Sequence, residues 1–278
     1  MTPRYADGPP PGMSQVSFPR PTPVVRRLLI GLTAIHLALF VLFLASEANY
    51  ELITDPLRLD GSGWFTNLPF VPLWELATYG LLHSPVDLWH LIGNLLVLYF
   101  FGTMLEEELG SRRFTITYIA SQVLGALVFL VAGWMGMRSG PAIGASGACY
   151  GVMLATATLF PDRRVTLILV PLTMRWLAII IVAVTVFAAL LQFKQGTSGT
   201  AHLIHLGGLA YGFFAVRSGL IKKDPVEAFE QHRAVKEIER AQSDEARVDD
   251  LLAKISREGI GSLSKGERDF LKKASTRK

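Results

Sequence analysis

Residues 139–161 read SGPAIGASGACYGVMLATATLFP, twenty-three positions without one Asp, Glu, Lys or Arg. A helix that crosses a bilayer needs about 20 mostly apolar residues. No water is present there to satisfy exposed backbone groups, so such a stretch is expected to be helical. It does not stand alone. Charge-free windows of 18 residues or more also cover 28–46, 88–105, 114–137, 176–193 and 195–216, all rich in Leu, Ile, Val, Ala and Phe. Six windows predict an all-α polytopic membrane protein built as a six-transmembrane-helix bundle. The 61–74 window is shorter, holds Gly61, Gly63, Pro69 and Pro72, and reads as an interfacial loop.

Composition agrees. Of 278 residues, 50% are hydrophobic and 18% charged, against about 25% charged in an ordinary soluble domain. The charge is uneven: residues 222–278 hold 14 Lys/Arg and 12 Asp/Glu, more than half of all formal charges. This excludes a single soluble globule. It also excludes reading the net charge of +4 as a nucleic-acid signal. The lone Cys149 excludes a disulfide framework and a multi-cysteine metal site.

Three segments follow. Residues 1–24 are Pro- and Gly-rich without apolar period and read as a disordered cytoplasmic tail. Residues 25–222 hold the six spans. Residues 223–278 turn polar and helical, with Leu251, Leu252 and Ile255 at helical spacing and Ser264 followed by Glu267 as a capping box before a last short helix. With the N-terminus inside, ten Arg fall on inner segments before residue 222, and only Arg58, Arg138 and Lys194 fall outside. That bias places both termini in the cytoplasm. The first window is preceded by 27 residues, long for a signal peptide's charged region, and reads as a retained helix.

Polar side chains inside spans are costly and mark function by default. The second window carries His90 and Asn94, the fourth opens with Gly144-Ala145-Ser146-Gly147 and continues to Tyr150, and the sixth carries His202 and His205. These three windows run in the same direction, so Ser146, His90, Asn94 and His205 come to similar depth below the outer surface. A nucleophile, a base and hydrogen-bond donors are what acyl transfer needs. His90 and Asn94 share a helical face, as do Ser146 and Tyr150. Gly147 with Gly151, and Gly208 with Gly212, sit at the spacing that lets membrane helices approach closely. Read by themselves, His202 competes with His205 as base, and His90 and Asn94 could serve as polar contacts between helices.

The set resembles the rhomboid family of intramembrane serine proteases: His90-x-x-x-Asn94, Gly144-Ala145-Ser146-Gly147, and His205-x-x-Gly208-x-x-x-Gly212, over roughly residues 28–220. Trp74, Thr78, Gly102, Glu106, Gly110, Ser111 and Phe114 support it. Glu75 departs from the Arg that many bacterial relatives have after the Trp, and the 248–275 tail is similar to a segment appended to some bacterial rhomboids. The resemblance implies Ser146 as nucleophile, His205 as base, His90 and Asn94 as oxyanion donors and Tyr150 as support for the histidine ring. It implies transmembrane substrates, no cofactor and no metal, and a place in a bacterial inner membrane. His83 and His36 read as structural, and Glu106 as pairing with Arg112, Arg113 or loop backbone. The competing readings are a catalytically silent rhomboid-like helix-binding chaperone or adaptor, and a transporter. The transporter is disfavoured by the lack of paired acidic residues in the spans and of an inverted repeat.

Overall fold

The computed structural model describes residues 20–64, 70–137, 140–167, 170–195 and 200–276. The reading of 1–24 as disordered falls mostly outside these residues, as does the centre of the 194–201 connection. The described chain divides into two compact units, the first ending at Lys223 and the second starting at Asp224.

All six charge-free windows contain helix. The first unit holds α1 (Pro23–Ala45), α2 (Glu47–Thr54), α3 (Leu88–Leu109), α4 (Ser111–Trp134), α5 (Ser146–Leu159), α6 (Met174–Gln195) and α7 (Thr200–Arg217). Among the described residues four helices are long and apolar enough to cross a membrane: Pro23–Ala45, Leu88–Leu109, Ser111–Trp134 and Met174–Leu191. α1 and α6 show apolar side chains to the outside, with Ile30, Val41, Leu44, Val184, Phe187 and Leu190 all exposed. Such an exterior suits lipid rather than water.

Two expectations need correction. The 139–161 window is not helical throughout: residues 140–145 run as a loop, and α5 begins only at Ser146. Pro141 cannot donate a helical hydrogen bond, and Gly144 holds φ +121°, a conformation that side-chain-bearing residues avoid. α5 has 14 residues, about 21 Å at 1.5 Å per residue, short of the roughly 30 Å hydrocarbon core. The fold also has one element that charge counting missed. β1 (Arg164–Leu167) and β2 (Val170–Thr173) pair antiparallel between α5 and α6. Their residues lie between the charge-free windows 139–161 and 176–193.

The centre of the bundle is packed on glycine. A Cβ on Gly208 of α7 would collide with the Gly147 carbonyl of α5, and one on Gly212 with the Gly151 carbonyl. Gly207 of α7 lies against Gly125 of α4. Between membrane helices there is little hydrophobic drive, so close backbone approach and dispersion hold them. α3 is capped by Asp87, whose carboxylate accepts the His90 N–H at 3.3 Å. It widens into a π-helical turn over Leu98–Gly102, and the Thr156 hydroxyl of α5 donates to the Phe101 carbonyl there.

Glu106 ties distant segments together. Its carboxylate accepts the N–H groups of Val24 (3.0 Å) and Val25 (2.9 Å) and the hydroxyls of Thr22 and Ser111. It therefore caps α1 from 82 residues away, where the helix dipole favours an anion. Backbone is among the partners expected of it. Glu75, the departure noted above, accepts the Trp64 indole N–H at 2.7 Å and the Asp60 N–H at 3.2 Å. Burial pushes its carboxyl above the ordinary carboxylate range, and those two hydrogen bonds oppose the rise.

The second unit holds α8 (Pro225–Glu258) and α9 (Lys265–Thr276). The capping box forms: Ser264 N–H donates to the Glu267 carboxylate at 2.7 Å, and Glu267 N–H to the Ser264 hydroxyl at 3.3 Å. The Ser264 N–H, with the Lys254 ammonium and the Ser264 hydroxyl, lowers the Glu267 carboxyl to about 2. Leu251 and Leu263 are buried, and the Arg247 guanidinium sits 4.8 Å from the Phe270 ring centroid.

Candidate active site

Ser146 is the first residue of α5 and is buried. Its Oγ lies 2.7 Å from His205 Nε2 on α7. The glycine contacts between α5 and α7 make that distance possible. One turn along α5, Tyr150 stacks on the His205 ring, with centroids 4.2 Å apart and planes 3° apart. His202 sits edge-on to His205 at 5.8 Å. Among the described residues His205 Nδ1 is buried and meets no partner, so no carboxylate orients this imidazole.

α3 brings His90 and Asn94 to the loop before Ser146. A Cβ on Gly144 would come within 2.5 Å of His90 Cε1. The Cys149 thiol donates to the Asn94 carbonyl at 3.7 Å. The Asn94 amide lies 2.9 Å from His83 Nε2, and the His83 ring stands edge-on to His90 at 5.2 Å.

His83, which reads as structural in the sequence, contacts both candidate oxyanion donors. Burial lowers its pKa to about 4, with His90 and His36 adding to the effect. A neutral His83 accepting at Nε2 uses one N–H of the Asn94 amide and leaves the other. The available signal was a histidine in an apolar run, Leu81-Leu82-His83, one short loop before α3.

The α5 N-terminus supplies donors as well. The first N–H groups of a helix have no intrahelical acceptor. Among the described residues neither the Ser146 nor the Gly147 N–H meets an acceptor, whereas Cys149 N–H reaches the Ala145 carbonyl at 3.0 Å. A developing negative charge beside Ser146 would meet free donors at a positive dipole end. Among the described residues no three His, Cys, Asp or Glu side chains converge as a metal ion would require. An apolar groove of about 1140 Å³ runs between α5, α6 and α7 toward Arg175 and Arg217, but neither Ser146 nor His205 lines it.

Parts of the chain are similar to known proteins. A family model described as Rhomboid domain matches residues 72–220. The chain is 33% identical over 141 residues to Rhomboid protein 1, mitochondrial, of Saccharomyces cerevisiae, covering 50% of this chain and 40% of that protein. It is 30% identical over 139 residues to the human presenilin-associated rhomboid-like protein, mitochondrial, covering 49% and 36%. It is 30% identical over 142 residues to Rhomboid protease GluP of Bacillus subtilis, covering 51% and 25%. Each match spans well under half of the relative's own length.

Proposed function

The chain belongs to the rhomboid family and is an integral membrane protein, and from that premise we propose that it is an intramembrane serine endopeptidase working through a Ser146–His205 dyad. The observation that carries this reading is the 2.7 Å separation of Ser146 Oγ and His205 Nε2 in a buried site. It falls within the range that a nucleophile and its base require.

His205 Nε2 takes the hydroxyl proton as Ser146 Oγ bonds to the scissile carbonyl carbon. The carbonyl oxygen becomes the oxyanion, held by the Ser146 N–H and the side chains of His90 and Asn94. His205 gives its proton to the leaving amine nitrogen as the C–N bond breaks. Water then attacks the acyl-enzyme, with His205 taking its proton and returning one to Ser146 Oγ. A buried third carboxylate would be costly in this setting, and Tyr150 takes over the task of orienting the imidazole.

The substrate is a transmembrane helix of another membrane protein, cut near the outer face. Helical carbonyls are tied up in hydrogen bonds, so Gly, Pro or small residues near the cut help to expose one. Entry requires movement of α6 and the 194–201 connection. In this reading all six windows cross the membrane, the fourth as the loop 140–145 together with α5, with both termini and the 223–278 tail cytoplasmic. A bacterial inner membrane fits the tail's resemblance, although two of the relatives named are mitochondrial.

Detergent-purified protein incubated with a transmembrane reporter tests the proposal. Wild type should cleave it and Ser146→Ala should not. Equal inactivity of both, with reporter binding retained, would favour the silent chaperone or adaptor. Reporter fusions at residues 10 and 270 test the topology, and signals from opposite sides would refute it.

A further inference from the structure

Gln122 of α4 lies outside every motif quoted above, yet it grips the chain on both sides of the nucleophile. It is 4% exposed. Its Nε2 donates to the Gly144 carbonyl at 3.2 Å, two residues before Ser146. Its Oε1 accepts the Ala148 N–H at 2.9 Å, two residues after. A second strap reinforces the first. The Tyr79 hydroxyl donates to the Gln122 carbonyl at 2.9 Å, and the Gly144 N–H donates to the Tyr79 carbonyl at 2.8 Å. A Cβ on Gly80 would strike the Gln122 amide, so the pocket around it is closed.

A primary amide carries one donor face and one acceptor face. Here they meet one carbonyl and one N–H, which holds the loop-to-helix turn at a set pitch. The contact also sorts the helix-end donors. Ala148 N–H is consumed by Gln122, while those of Ser146 and Gly147 stay unengaged among the described residues. The Gly144 backbone that Gln122 holds is also the surface against which His90 packs.

We propose that Gln122 is a positioning residue for the nucleophile turn, aiming the α5 N-terminal N–H groups and the His90 ring at the oxyanion through the Gly144 carbonyl and the Ala148 N–H. This rests on the protease reading and deepens it. Gln122 touches no substrate, so it acts on turnover rather than on binding.

Gln122→Leu removes both faces of the clamp at similar volume. Its kcat on the transmembrane reporter should fall by about tenfold to a hundredfold, as small misplacements of reacting groups do. KM should stay within about twofold, because uniform binding is untouched. Fluorophosphonate labelling of Ser146 should slow in parallel. Gln122→Glu supplies a readout that a merely structural role would not move. The protonated carboxyl mimics the amide, donating to Gly144 O and accepting from Ala148 N–H, whereas the carboxylate repels that carbonyl. The ratio of its kcat to that of wild type should therefore fall as pH rises and the introduced carboxyl ionises. His90, His205, Tyr79 and Tyr150 surround the turn in both proteins, and the wild-type profile reads their own titration. A folded Gln122→Leu with wild-type kcat would overturn the proposal.

A cleavage-free measurement separates this idea from the protease reading itself. In a Ser146→Ala background, Gln122→Leu should raise amide hydrogen exchange across residues 144–149 and leave α6 unchanged. Unchanged exchange in 144–149 would reject the clamp whether or not wild type proves to be a protease.

Discussion

The Tyr150 ring lies flat on the His205 imidazole, 4.2 Å between centroids and 3° between planes. The ring face, rather than a hydrogen bond from a carboxylate, holds the proposed base against Ser146. Stacked aromatic pairs contribute about 0.5–1.5 kcal/mol beyond area burial, or roughly twofold to thirteenfold in a rate that depends on ring orientation. Tyr150→Phe keeps the stack and should retain most turnover. Tyr150→Ala should lose about that factor in kcat on a transmembrane reporter. Equal activities of the two variants would show that stacking does not orient the histidine.

Ser146→Ala and His205→Ala should each abolish cleavage, and the double variant should be no worse than either. Residues that act as one unit lose nearly everything when one is removed. A fluorophosphonate probe should label wild type and not Ser146→Ala. His202 meets His205 only edge-on, so His202→Ala should keep measurable turnover. An active His205→Ala beside a dead but folded His202→Ala would reassign the base.

His83 makes the fold acid-sensitive. Its folded-state pKa is lowered to about 4 from the ordinary 6.5, chiefly by burial. Between those values the unfolded chain binds a proton that the folded chain refuses, so stability falls as pH drops through the window. His83→Gln keeps an acceptor for the Asn94 amide without titrating. Its melting temperature in detergent should decline less than that of wild type between about pH 6.5 and about pH 4. Parallel declines would remove His83 as a cause.

Gly208→Ala should be far more damaging than its one added methyl suggests. The new Cβ would overlap the Gly147 carbonyl, a backbone atom that cannot swing aside. Overpacking of this kind costs about 1–3 kcal/mol, and separation of α5 from α7 would also lengthen the Ser146–His205 contact. Gly93→Ala is the control, since its Cβ would meet nothing within 4 Å. Thermal unfolding should show a drop for the first and none for the second.

Replacing Glu106 with Ala strips the cap from α1. Two N–H donors and two hydroxyls lose their acceptor at once, against about 0.5–2 kcal/mol for loss of a single cap. Glu106→Gln retains an acceptor oxygen without the charge and should fall between wild type and Glu106→Ala in melting temperature. An unchanged melting point for Glu106→Ala would show that α1 needs no such anchor.

What the sequence determined by itself follows from chemistry that is local. Long charge-free windows must become helices because a bilayer offers the backbone no other partner, and each of the six does contain one. The polar residues in windows two, four and six were visible as chemical oddities in apolar surroundings, and their motif spacing pointed to a family. The tertiary structure decided what depends on depth, rotation and partners distant along the chain. Gly144 at φ +121° sets where α5 begins, seven residues into its window. Glu106 finds its partners 82 residues away at the start of α1. His83 reaches Asn94 across a loop, and Gln122 reaches Gly144 and Ala148 from another helix. Residue type and spacing say which side chains can donate or accept. Only the close glycine-on-glycine packing of α4, α5 and α7 fixes which donor meets which acceptor, because a turn of one helix or a shift in its depth would exchange every partner.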